Sequence, residues 1–154
     1  MGFFMAKDTI SGQEARAYTT IDGNVEAMFY AKNLKAEVEK NKTDIKTLGK
    51  RGTQQKAVGW NGTGSMTIYF ATTMFRKMML DYIKNGKDVY FDITVTNEDP
   101  TSSIGKQTTV LKNVNLNKVT VAQFDVDADA LDEDIDFTFD DMDILDEFGK
   151  PVLG

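Results

Sequence analysis

The chain is predicted to be mainly β: a small β-barrel or β-sandwich with one flanking α-helix and a long projecting β-hairpin. Three observations carry this expectation. Apolar and polar residues alternate with a period of two through "LKAEVEK", "MTIYF" and "VYFDITVT", and "VTVAQFDV" is rich in β-branched residues. One stretch, "TTMFRKMMLDYIKNG", carries the three- and four-residue spacing of a helix. Glycine, asparagine and aspartate fall between these segments, where turns are needed.

Taken in order, residues 1–12, "MGFFMAKDTISG", read as an N-terminal arm. They lack the basic start and long apolar run of a signal peptide, and no stretch approaches the ~20 apolar residues of a membrane span. A protein made in the cytosol and staying there is expected. "DGN" at 22–24 is the tight connection of a hairpin.

A longer hairpin covers 34–70, with arms over 34–47 and 53–70 and its tip in "LGKRGT" at 48–53. In the first arm Leu34, Ala36 and Val38 alternate with Lys35, Glu37 and Glu39. Lys and Glu favour helices, but the period of two outweighs that propensity. In the second arm Met66, Ile68 and Phe70 share a side. Arms of this length exceed the usual strand, so part of the hairpin should project from the body.

The helix is expected over 72–85, started by Thr72 or Thr73 and stopped at Asn85-Gly86. Met74, Phe75, Met78, Met79, Tyr82 and Ile83 form its apolar face. Packing of that face on the sheet is the main reading, and a methionine-rich peptide groove is the other. Further strands fill 87–148. Val89, Phe91, Ile93 and Val95 face one way there, with Asp92, Thr94 and Thr96 opposite. The 154 residues suit a single domain, 1–154: only Pro100 and Pro151 occur, and there is neither a Ser/Gly linker nor a repeat of 20 to 50 residues.

Composition narrows the chemistry. With neither cysteine nor histidine, the chain has no disulfide, thiolate nucleophile or Ser-His pair, and lacks the commonest metal ligands. "DVDAD" at 125–129 imitates the start of a calcium loop. The loop's sixth and twelfth positions, which need Gly and Glu, hold Ala130 and Asp136. "GWNGTGS" at 59–65 imitates a phosphate loop, but it lacks the Lys-Ser/Thr pair and runs into a strand; a glycine-rich bend or bulge fits better, with Trp60 as a candidate core anchor. Lys46, Lys50, Arg51 and Lys56 cluster at the hairpin tip, a solvated end or a contact for an acidic surface rather than a nucleic-acid site. No pair of carboxylates is marked for hydrolysis. No enzyme and no cofactor is expected.

Charge is unevenly spread. Residues 125–154 hold twelve Asp/Glu against Lys150 alone, while residues 1–124 carry a net +5. The acids follow the strand period. Asp125, Asp127 and Asp129 alternate with Phe124, Val126 and Ala128; Asp136 and Asp140 alternate with Ile135, Phe137 and Phe139. The alternation slips after Asp140-Asp141, which predicts a bulge or bend. These acids therefore read as sheet faces that look onto water, counter-ions or a basic partner.

Together, "TISG", "AEVEKNKTDIKTLGKR" (36–51), "GWNGTGSMTIYF" (59–70), "LDYIKNG" (80–86) and "DVDADALDEDIDFTFDDMDI" (125–144) resemble the tail tube proteins of contractile phage tails. Tube proteins of Gram-positive defective prophages and of clostridial R-type bacteriocins are similar over nearly the whole chain. The resemblance implies rings of six copies stacked into a rigid hollow tube, which a contracting sheath drives through a target envelope. It implies kinship in fold with the needle proteins of type VI secretion. The partners it implies are other copies of the chain, a sheath protein, baseplate or tail-tip proteins and a tape-measure protein in the lumen. Nucleic acid is not bound stably, and the target membrane is met only through the assembled tube. Assembly is expected in the host cytoplasm, before release as a phage tail or bacteriocin particle. Gly49, Lys50, Arg51 and Gly52 are the expected inter-ring contact, and Asp125, Asp127, Asp129, Asp136 and Asp140 the expected acidic face. An acidic β-domain binding calcium or another protein is the alternative.

Overall fold

The computed structural model describes residues 6–8, 15–28, 31–46, 48–49, 51–70, 72–100 and 102–149. Eight strands and one α-helix follow a short 3-10 turn at Ala6–Asp8: β1 (Ala15–Ile21), β2 (Asn24–Ala27), β3 (Ala31–Ile45), β4 (Gln54–Tyr69), α1 (Met74–Asn85), β5 (Phe91–Glu98), β6 (Lys106–Lys118), β7 (Asp132–Phe139) and β8 (Asp141–Asp146). All pairings are antiparallel, and the strand order is β2-β1-β5-β6-β7-β4-β3, with β8 also on β6. The path does not close on itself: β2 and β3 end it.

The first turn is as expected. Asp22 and Gly23 both take positive φ (51° and 81°) between the paired Ile21 and Asn24, which matches the right-handed twist of the flanking strands.

β6 makes the two layers. On one edge it pairs with β5; on the other it pairs with β8 over Thr108–Lys112 and with β7 over Asn115–Lys118. At the changeover Asn113 adopts φ 54°, a left-handed angle that asparagine tolerates. Its backbone N–H donates to Asp92 (3.3 Å) and its side-chain amide to Asp140 (2.8 Å). The slip expected after Asp140-Asp141 is real: Asp140 is the bend between β7 and β8, and the chain passes there from one layer to the other. Asp140 is thus a pin of the corner more than a member of a charged face.

One core lies between the layers, built from Met66 and Ile68 (β4), Phe91 and Ile93 (β5), Leu111 and Val114 (β6), and Ile135, Phe137 and Phe139 (β7). The period-two expectation for these strands holds. One strand expectation does not. "VTVAQFDV" at 119–126 forms no strand; the strand lies before it, in "KQTTVLKNVNLNK". Residues 119–131 are a loop, because β6 loses its partners beyond Lys118.

The glycines of "GWNGTGS" serve different purposes. A register shift at Asn41/Lys42 marks the expected bulge, opposite Ala57 and Gly59. Gly62 and Gly64 lie in regular strand, directly across from Phe139 and Phe137. A Cβ at Gly64 would stand 2.3 Å from the Phe137 ring, so glycine is what lets the ring lie over the strand. Trp60 is 41% exposed and only flanks Phe139, with ring centroids 6.2 Å apart.

The helix ends as expected, with Gly86 at φ 66° donating to the Tyr82 carbonyl. At its start the Thr72 hydroxyl, not that of Thr73, accepts from the Met74 N–H (3.2 Å). Only its first half packs: Phe75 is buried, and Met74 and Met78 touch the core. Tyr82 and Ile83, expected on the buried face, are exposed together with Leu80.

An ion pair that the sequence did not announce fixes this helix. Glu133 lies on the inward side of β7 with its side chain 0% exposed, and Arg76 donates to both its oxygens (3.1 and 3.2 Å). The same guanidinium donates to the Thr72 carbonyl and lies over the Phe70 ring. Burial raises the Glu133 pKa, and Arg76 opposes that shift.

Candidate functional site

Two features at opposite ends of the β4–β7–β6 layer stand apart from the core. The first is the hairpin. β4 pairs with β7 only from Gly62 to Tyr69, whereas β3 and β4 stay paired out to Ile45 and Gln54. The eight residues from Gln54 to Asn61 therefore form a free two-stranded ribbon, extending roughly 25 Å at ~3.3 Å per residue. This is the projecting hairpin that the sequence predicts.

The ribbon's tip is basic and has an apolar point. Lys46, Arg51 and Lys56 are exposed, and Leu48 is 102% exposed. Gly49 turns the chain at φ 85°, as expected of a tip glycine, while Gly52 does not use a positive φ. Lys50 lies outside the described residues. So does most of the expected arm over 1–12; its described part, at 6–8, is tied to the body where the Lys7 carbonyl accepts from the Ser103 N–H (2.7 Å).

The second feature is the loop over 119–131, at the far end of the same layer. Tyr69 at the end of β4 is opposite Asp132 at the start of β7, and the Phe70 N–H donates to the Leu131 carbonyl (2.8 Å). Phe124 is 87% exposed and Val126 77% exposed. Asp125, Asp127 and Asp129 stand exposed beside them, on a turn and bend rather than on the expected strand face. Asp125 accepts from the Asp127 backbone N–H at 3.0 Å.

Asp136 does lie on the outer face of β7, as expected. The acids nearest the body are largely matched: Lys32 pairs with Asp132 (2.8 Å), Lys112 with Asp143 (2.6 Å) and Lys106 with Asp146 (3.8 Å). Hydrogen bonding to their carboxylate partners raises the pKa of Lys32 and of Lys112. Asp125, Asp127, Asp129 and Asp136 make no ion pair among the described residues. The loop and the outer face of β7 thus each carry unmatched negative charge. Among the described residues, no three His, Cys, Asp or Glu are grouped to hold a metal ion, and no helix is long and apolar enough to cross a membrane.

Sequence reasoning found the ribbon because its period-two arms are long. It missed the loop's position because the pattern of alternation was itself satisfied. Only the absence of a partner strand for 119–126 distinguishes it.

Comparison with known proteins supplies the context. A family model described as "Phage tail tube protein" matches residues 2–146. The phage-like element PBSX protein XkdM of Bacillus subtilis is 41% identical over 139 residues, covering 90% of this chain and 92% of the relative. The same fold occurs in the sheath-tube complex of the PVC extracellular contractile injection system in its extended state, with a TM-score of 0.67, 12% identity and coverage of 94% of this chain and 93% of that one. It also occurs in the SPP1 tail tube, with a TM-score of 0.62, 13% identity and coverage of 94% and 81%.

Proposed function

This chain belongs to the phage tail tube protein family, and from that premise we infer that its copies close into six-membered rings which stack into the hollow inner tube of a contractile particle. The role is structural, not enzymatic. The observation that carries the assembly is the open strand order. A strand path that, among the described residues, ends in the unpaired edges of β2 and β3 leaves two rows of backbone donors and acceptors, and side-by-side closure of copies around a ring covers both. The ribbon then reaches from one ring to the next, with Gly49, Lys50, Arg51 and Gly52 at the contact. The outer face of the β3–β4–β7 layer, carrying Asp136, lines the channel, where negative charge keeps DNA or another polyanion from sticking.

The whole chain, 1–154, acts as one tube domain. Around it the sheath binds outside, baseplate or tail-tip proteins bind at one end, and a tape-measure protein fills the lumen. The subunit assembles in the host cytoplasm and leaves in the released particle. Electron microscopy of the purified protein tests the reading. Wild type is expected to give rings or tubes, and Lys50→Glu with Arg51→Glu is expected to leave a folded subunit that does not stack. Normal tubes from the double variant would exclude the inter-ring role of the tip.

A further inference from the structure

We propose that the 119–131 loop is the socket for the hairpin tip of a second copy of this chain. The inference rests on the stacking reading and adds what that reading lacks, the surface that receives the tip.

Four observations meet here. The loop holds Phe124 at 87% and Val126 at 77% exposure, while Leu48 at the tip is 102% exposed. Each end thus presents apolar surface left uncovered among the described residues, and burying such surface drives association. The charges around the two ends are opposite: Lys46 and Arg51 flank Leu48, and Asp125 and Asp127 flank Val126, next to Phe124. Such complementarity fixes register and orientation.

The third observation is placement. β4 runs from the tip at Gln54 to Tyr69, beside which the loop returns into β7, so tip and loop lie at opposite ends of one layer. A tip cannot fold back onto its own loop, but a copy displaced along the strand direction brings its tip to the next copy's loop. Contacts between two different surfaces repeat without limit, as a tube requires. The fourth is the pattern of the loop itself. Residues 124–129 alternate apolar and acidic like a strand, yet they have no strand partner among the described residues. A partner supplied by another copy accounts for that pattern.

The test uses the absence of natural cysteine. Leu48→Cys and Phe124→Cys are placed in one chain and treated with a short bismaleimide under assembly conditions. Each chain then owns one tip thiol and one loop thiol, so a denaturing gel should show a ladder of dimers, trimers and longer products. A product that stops at dimer overturns the proposal, because it means a symmetric contact. Tubes that form without any cross-linked ladder overturn it too, and leave ring stacking intact. No assembly by the wild-type chain removes the stacking reading and this contact with it. In a second arm Arg51→Asp should lower tube yield at least tenfold without changing the subunit's circular dichroism. Adding Asp125→Arg and Asp127→Arg should restore most of that yield, and a triple variant no better than Arg51→Asp overturns the proposed pairing.

Discussion

Replacing Gly64 by alanine should destabilise the subunit, although alanine is ordinarily the better strand residue. The new Cβ would stand 2.3 and 2.4 Å from Phe137 ring carbons and 3.0 Å from the Lys35 carbonyl. Ordinary contact begins at 3.4 Å, so the ring must retreat by about 1 Å. Phe137 is 0% exposed and surrounded by core, so that retreat displaces its neighbours. Overpacking of this kind costs about 1–3 kcal/mol, against a gain of about 0.5–1 kcal/mol from removing a strand glycine. A net loss of about 1–2 kcal/mol follows. Gly59, where the nearest atom to a Cβ is 3.8 Å away, is the control; Gly59→Ala should gain the propensity term alone. At about 2–4 °C per kcal/mol the two variants, which differ by the overpacking cost alone, should differ by roughly 2–12 °C in Tm. Thermal unfolding followed by circular dichroism, at concentrations where the subunit is monomeric, measures this directly. Adding Phe137→Leu to Gly64→Ala should cost less than the two changes summed, since the smaller side chain makes room. If Gly64→Ala melted at or above Gly59→Ala, the explanation of "GTG" as a seat for aromatic rings would be wrong.

Arg76→Leu should cost about 3–5 kcal/mol in urea unfolding, because it strands the buried Glu133 carboxylate; adding Glu133→Leu should recover most of that loss. The pH dependence of the pair has a definite sign. Burial raises the Glu133 pKa from 4.5, so the folded state holds its proton more tightly than the unfolded chain. Stability from this group therefore falls as pH rises from 4.5 through the raised folded value, and returns on acidification. Compared with Glu133→Gln over pH 4 to 7, wild type should gain relative stability towards the acid end; the opposite slope refutes the shift. Asn113→Gly should preserve the corner better than Asn113→Ala. The alanine must hold φ 54° at about 1–2 kcal/mol and both lose the Asp140 bond, so Tm should order as wild type, glycine, alanine.

The legible parts of this fold were those where one local signal had one solution. Ile135, Phe137 and Phe139 alternate with acids, and a strand buried on one face is the arrangement that separates them from water. "DGN" and Asn85-Gly86 place residues that accept left-handed angles where the chain must turn. Three features were not legible, each for a reason of tertiary structure. "VTVAQFDV" has every local mark of a strand, but a strand exists only where a neighbour donates the ladder, and periodicity carries no information about neighbours. Tyr82 and Ile83 continue the helix stripe yet stay exposed, so the helical period is right and the burial is not. Glu133 is one of four acids within 132–136 and reads as surface, yet its phase matches Ile135 and Phe137. The signal that could have found it is that phase, which places a carboxylate inward and so demands a cation such as Arg76.

The edges of the sheet carry the same logic outward. β3 is fifteen residues long and pairs on one side only, which in an unassembled chain invites indiscriminate pairing. Its sequence answers with Lys35, Glu37, Glu39, Lys40 and Lys42, all exposed, the first two joined at 2.9 Å. Charges of both signs along an edge oppose random partners and admit one whose charges match in register. β2, at the other end of the path, is only four residues long and begins at the tight Asp22-Gly23 turn. A symmetric β3–β3 pair would cover the long edge and leave β2 bare, whereas β3 of one copy beside β2 of the next covers both. The asymmetry therefore favours head-to-tail closure around a ring over symmetric dimers. Glu37→Lys and Glu39→Lys should accordingly leave the Tm of the isolated subunit within about 1 kcal/mol of wild type in stability terms, as exposed charges do, and should abolish rings in electron micrographs. Rings formed as readily by that variant would mean that the charges of β3 do not select its partner.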